Sequence, residues 1–161
     1  MFVAPEVVKI MATKQYYSGI YMIPPLVFAS YEMYMYTVYV NVEYYYKSTK
    51  YIAFNTIVAA ITNIVLNFIF VPLYGGMAAC FTTVISYMVS FLMHSKHSRK
   101  LDRELFPLKQ FAVPTLIFII AIIIAYLLME FWIVRWIIAI VGFIFYAAYA
   151  LLTKRFSNFL K

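Results

Sequence analysis

Charge is scarce in this sequence. Asp, Glu, Lys and Arg supply only 12% of the 161 residues, hydrophobic residues supply 66%, and the mean hydropathy is +0.87. A soluble domain is typically about 45–50% apolar and about 25% charged. No water-soluble core of this length hides so much apolar surface, so a polytopic membrane protein is expected. Cysteine is nearly missing too. Cys80 stands alone in an apolar stretch, which excludes an internal disulfide and leaves it a small buried hydrophobe. There is no Asn-x-Ser/Thr sequon, and the opening MFVAPEVVKIMA lacks the basic and long apolar regions of a signal peptide.

Motifs of chemistry are missing as well: no HExxH, CxxC, phosphate-binding loop, dinucleotide turn or nucleophile–base set is present. The two deepest carboxylates, Glu32 and Glu43, fall on one helix about 16 Å apart by rise, too far for a glycosidase pair. The reading is therefore not an enzyme, with no cofactor. His94 and His97 stand at i, i+3, a spacing able to hold metal, but no third ligand has matching geometry. They read as solvated loop histidines with no metal. The net charge of +7 does not point to nucleic acid, because the cations sit in short loops beside apolar runs.

What the chain does have is oily helices. Tyr51 to Ser95 contains no Asp, Glu, Lys or Arg, about twice the roughly 20 residues that one spanning helix needs. The break Pro72-Leu-Tyr-Gly75-Gly76 near its middle predicts two membrane helices joined by a very short loop. The whole chain reads as an all-α, polytopic transmembrane bundle of about five spanning helices. They are expected near residues 18–46, 51–72, 76–95, 110–129 and 132–153, after an interfacial segment at 1–15. Pro24-Pro25 predicts a kinked or unwound end of the first. Glu130 and Arg135, five apart, frame the last turn, a spacing that permits a pair at the interface but does not require one.

Cations alternate along the loops: two at 47–50, none in PLYGG, five at 95–110, one at 130–135 and three after 153. The positive-inside rule then puts 47–50, 95–110 and the C-terminus in the cytoplasm.

Polar side chains run in stripes. Glu32, Tyr36, Tyr39 and Glu43 stand at i, i+4, i+7 and i+11, as do Thr56, Ala60, Asn63 and Asn67. Ala78, Thr82, Ser86 and Ser90 follow at four-residue steps, with Ala79 and Thr83 beside them, a pattern suited to close helix packing. An intramembrane carboxylate facing lipid costs several kcal/mol, so Glu32 is expected to face protein or a cavity. Such stripes either bond helices together or line a pathway, and the stripe alone does not separate the two.

The run Asn63-IVL-Asn67-FIFV-Pro72-LY-Gly75-Gly76-MAACFTTVIS-Tyr87 resembles bacterial polysaccharide flippases of the multidrug/oligosaccharidyl-lipid/polysaccharide flippase superfamily. In that family an asparagine-bearing helix ends in Pro-x-x-Gly, and a small-residue helix follows. APEVVKIMATKQYYSGIYMIPPLVF is similar to the end of their seventh helix and the start of the eighth. The resemblance covers most of residues 1–95.

It implies a twelve-helix transporter of two lobes in the bacterial inner membrane, moving undecaprenyl-pyrophosphate-linked oligosaccharides for O-antigen, capsule or exopolysaccharide synthesis. This chain would supply helices eight to twelve as the C-terminal lobe, partnered by an N-terminal lobe, the bilayer and the lipid-linked oligosaccharide. The family's cationic cavity residues have no counterpart here. Glu32, Tyr36, Tyr39, Asn63 and Asn67 are expected to line the substrate cavity. The rival readings are a cation-coupled drug antiporter of the same superfamily, with Glu32 as coupling group, and a non-transport membrane subunit.

Overall fold

A computed structural model describes residues 2–103 and 107–152, and the side chain of residue 152 is not among them. The fold is all-α, with no strand among the described residues. The order is α1 (Ala4–Met11), a 3-10 stretch (Lys14–Met22), α2 (Ile23–Tyr45), α3 (Thr49–Tyr74), α4 (Gly76–Leu101), α5 (Lys109–Leu127) and α6 (Trp132–Leu152).

Among the described residues four helices, α3 to α6, are long and apolar enough to cross a membrane, so the chain is a multi-pass membrane protein. Five had been expected. The helix that falls short is α2, which has the length but carries two glutamates and a dense set of tyrosines. Its carboxylates Glu32 and Glu43 are both buried in protein, together with Ala29, Met35, Tyr39 and Val42 on the same face. At 26 residues each, α3 and α4 are about 39 Å long. They exceed a hydrocarbon core of about 30 Å, which lets them tilt or project beyond it.

Proline and glycine set the boundaries. Pro24 and Pro25 occupy the first turn of α2, where the missing N–H groups had no helical acceptor. The unwinding expected there takes the form of the preceding 3-10 stretch. Pro72 does not end α3, which continues to Tyr74. The break is Gly75, at φ 65°, and α4 begins at the next residue. Gly75 N–H caps α3 by donating to Val71 O at 2.8 Å.

The chain divides into two units. In Tyr21–Ile123, α2 packs on α4, α4 on α3, and α2 more lightly on α3. Tyr31 joins α2 to α5 in that unit: its ring stacks on Phe118 at 4.6 Å, and its hydroxyl lies 3.0 Å from Thr115 Oγ1. The other unit combines the chain through Ile20 with the chain from Ile124. There Arg135, 1% exposed, donates to the Glu6 carboxylate and, at 3.2 Å, to Phe2 O. Of the two outcomes that the sequence left open for Glu130 and Arg135, the guanidinium takes the one in which it pairs elsewhere. Residues five apart diverge in direction, and Glu130 lies in the turn before α6, whereas Glu6 on α1 meets the guanidinium directly.

Candidate functional site

Ring and hydrogen-bond partners fix how the helices of the larger unit run. Tyr36 meets Tyr87, Tyr39 meets Phe91 and Glu43 meets His94, so α2 and α4 run parallel. Asn67 meets Thr82 and Asn55 meets His94, so α3 and α4 run antiparallel. Polar residues on three helices are thereby brought onto one seam.

At the end of the seam near the α2–α3 loop, His94 Nδ1 lies 2.7 Å from Glu43 Oε2. The two side chains are 1% and 0% exposed. Asn55 Nδ2 lies 3.4 Å from the same ring nitrogen. Nδ1 cannot both donate to the carboxylate and accept from the amide N–H, and the shorter contact decides: Nδ1–H donates to Glu43, and the Asn55 amide is only a neighbour. Glu43 Oε1 and Asn55 Oδ1 are buried without a hydrogen-bond partner among the described residues. The Tyr36 ring lies over the His94 ring at 5.8 Å.

The expectation of solvated loop histidines is overturned. Nothing in SKHSRK breaks a helix, so α4 runs on to Leu101 and carries His94 inward. His97 stacks on Tyr51 at 3.5 Å. Among the described residues no three His, Cys, Asp or Glu side chains converge as metal ligands would.

At the opposite end the partners are neutral. Thr82 Oγ1 donates to Asn67 Oδ1 at 2.5 Å, and Asn67 Nδ2 donates to Asn63 Oδ1 at 2.9 Å. Between the two ends lies a cleft of about 380 Å³, lined by Tyr36, Thr56, Ala59, Ala60, Asn63, Thr83, Ser86, Tyr87 and Ser90. None of these residues is charged. Thr56, Thr83 and Ser86 donate their hydroxyl hydrogens to the carbonyls four residues back, at 2.9, 2.7 and 2.7 Å. Their oxygens thus remain as acceptors facing a ligand. The small residues Ala59 and Ala60 leave the space open.

Of the residues expected to line a cavity, Tyr36 and Asn63 do line this cleft. Asn67 stands just beyond it, bonded to Asn63. Tyr39 is 1% exposed and packs against Phe91 and Phe111. Glu32 is 3% exposed and has one carboxylate oxygen without a partner among the described residues; it is not part of the cleft wall. Sequence reasoning missed Thr83, Ser86, Tyr87 and Ser90 as lining and His94 as the partner of Glu43. The four-residue steps on α4 pointed to packing, and the same steps also serve the cleft. A short up-down-up connection was the available signal for His94, because it puts the ends of α2 and α4 on one side.

No family model matches the chain, and neither a curated protein nor a solved structure matches it.

Proposed function

We propose that the chain is the C-terminal lobe of a bacterial inner-membrane flippase that exports lipid-linked oligosaccharides, its C-terminus cytoplasmic, with the Tyr36–Asn63–Ser86 cleft as its glycan-facing wall. One observation carries the reading. In a chain otherwise so apolar, an uncharged cleft of about 380 Å³ gathers two tyrosines, an asparagine and four Ser/Thr side chains from three helices. Packing alone is served by single interhelical contacts, as at Asn67–Thr82. A sugar presents apolar ring faces and many hydroxyls. Tyrosine rings cover the faces, and the Ser/Thr oxygens and Asn63 amide take or give the hydroxyl hydrogens. An aligned N-terminal lobe would supply the opposing wall, and rocking the two would alternate access.

The test is export in cells carrying the whole transporter. Tyr36→Ala and Asn63→Leu should each cut delivery of glycan to the cell surface by about tenfold, the loss of one well-made polar contact, whereas Phe68→Leu, on the exposed face of α3, should leave it unchanged. Export unaffected by both cleft variants, with the protein present at normal levels, sinks the reading.

A second reading, a cation-coupled antiporter, draws support from the buried Glu43–His94 pair beside Tyr36. A carboxylate and an imidazole sharing one hydrogen can load and release a proton. Glu43→Gln abolishing proton movement with substrate in proteoliposomes, while Glu32→Gln does not, favours coupling at this pair. The reverse result restores Glu32 to that role.

A further inference from the structure

Beyond His94, α4 carries Lys96, Arg99 and Lys100, and Arg103 follows just past its end at Leu101. A spacing of i, i+3 and i+4 puts the first three of these four cations on one helix face. All are exposed, and they line a groove of about 430 Å³ together with Leu92, Ser95 and Leu108. Among the described residues no acid lines the groove, and none of the four cations is in an ion pair. The nearby Asp102 accepts a hydrogen bond from Tyr46, at 3.0 Å.

Ordinary topology and the helix dipole account for cations near the end of α4. They do not account for this arrangement. Lys96/Lys100 is a like-charge pair at i, i+4, which costs the helix a few tenths of a kcal/mol, and Arg99 and Arg103 crowd two more cations into the same groove. A scattered set would avoid that cost, and a polyanion seated among the four reverses its sign. The guanidinium forks of Arg99 and Arg103 suit phosphate oxygens bidentately, and the lysines add point charge. Leu92, one turn before Lys96, belongs to a stretch apolar enough to span the membrane and is itself exposed. The recess is therefore apolar on its membrane side and cationic just beyond.

We propose that this groove binds the phosphate headgroup of an anionic lipid, with an acyl chain along Leu92 and two or more phosphate oxygens among Lys96, Arg99, Lys100 and Arg103. The proposal is independent of the export reading. It uses neither the cleft nor the Glu43–His94 pair.

The experiment measures cardiolipin retained on the purified full chain by native mass spectrometry from nanodiscs, with phosphatidylcholine as the competing lipid. Removing each cation should weaken retention about fivefold, so Arg99→Gln/Arg103→Gln should lose it about 25-fold. Lys47→Gln/Lys50→Gln, which removes two cations at the same end but outside the groove, should change it less than about twofold. Arg99→Lys/Arg103→Lys keeps the charge and should keep most of the binding, which separates a lost site from a lost fold. Equal losses in the groove and control variants, or no preference for cardiolipin, overturn the site. Inorganic pyrophosphate is the second arm. Its failure to displace the lipid supports a lipid source, and displacement with equal affinity overturns it in favour of a soluble phosphate.

Discussion

The two ends of the polar seam shared by α2, α3 and α4 are both closed by interhelical contacts but hold different chemistry. Near the α2–α3 loop, a carboxylate meets an imidazole with both side chains fully buried. Near the Gly75 turn, a threonine hydroxyl meets an asparagine amide that is itself bonded to a second asparagine. Neutral groups bonded across membrane helices contribute little each, because the separated helices find other partners in lipid. A buried carboxylate–imidazole pair differs, since neither member can be left without its partner in a dry interior without a large penalty. One end therefore holds the helices in a particular arrangement, and the other merely satisfies them. The cleft lies between, and its wall touches each end once, through Tyr36 over His94 and through Asn63 bonded to Asn67.

The largest effect should come from breaking the carboxylate–imidazole end one residue at a time. Glu43→Ala or His94→Ala leaves a buried ionisable group without its partner and should cost about 3–5 kcal/mol, read as a fall in the denaturant needed to unfold the protein in mixed micelles. Glu43→Leu/His94→Phe removes both groups and fills the space. It should cost far less than either single variant, and in favourable packing nothing. If the double variant costs the sum of the singles, the pair is not a coupled unit and the contrast between the two ends dissolves.

Much of the fold was legible because hydropathy is a strong signal in lipid. The charge-free run from Tyr51 to Ser95 read as a hairpin, and α3 and α4 form one. The boundaries were less legible, for a local reason. Pro72 looked like a stop, yet its missing N–H deprives only the Phe68 carbonyl of its helical donor, a gap that membrane helices tolerate, and α3 runs on to Tyr74. The end of α4 was read too early because a cluster of Lys, Arg, His and Ser resembles a loop. Ser95 and Ser98 are in fact buried on the inward face of that helix. Tyr36 and Asn63 were readable as cleft residues from their stripes. Tyr39 shares Tyr36's stripe, but a position one turn further along met Phe91 and Phe111 instead of open space. Helical spacing gives the face and cannot give what stands opposite. For the same reason the partner of Arg135 was out of reach, since Glu6 lies on another helix more than a hundred residues earlier.

The turn that closes the neutral end offers the next test. Gly75 has φ 65°, a left-handed value at which a side chain is strained, whatever the space around it. Gly75→Ala should destabilise the protein by about 1–2 kcal/mol. Gly76→Ala bears on packing instead. Its Cβ would approach Met22 Cε to 2.9 Å, but that atom is the tip of a flexible side chain and can swing aside. Gly76→Ala should therefore cost less than Gly75→Ala in the same unfolding assay. The opposite order would mean that the fit of Met22 on α4, and not backbone strain, governs the turn.

The smallest effect should be at the neutral contact itself. Asn67→Leu removes the acceptor of the Thr82 hydroxyl and the donor to Asn63, yet Thr82 retains the carbonyl of Ala79 as acceptor at 3.0 Å. The loss should be near 0.6 kcal/mol and at most about 1.7, several-fold below that of His94→Ala. Thr82→Val in the Asn67→Leu background should add almost nothing, because the shared bond is already gone. A cost for Asn67→Leu as large as that for His94→Ala would mean that the amide end holds the hairpin as firmly as the carboxylate–imidazole one. The polar stripe on α3 would then be a structural tie along its whole length, and Asn63 would be held by that tie instead of being free to face a ligand.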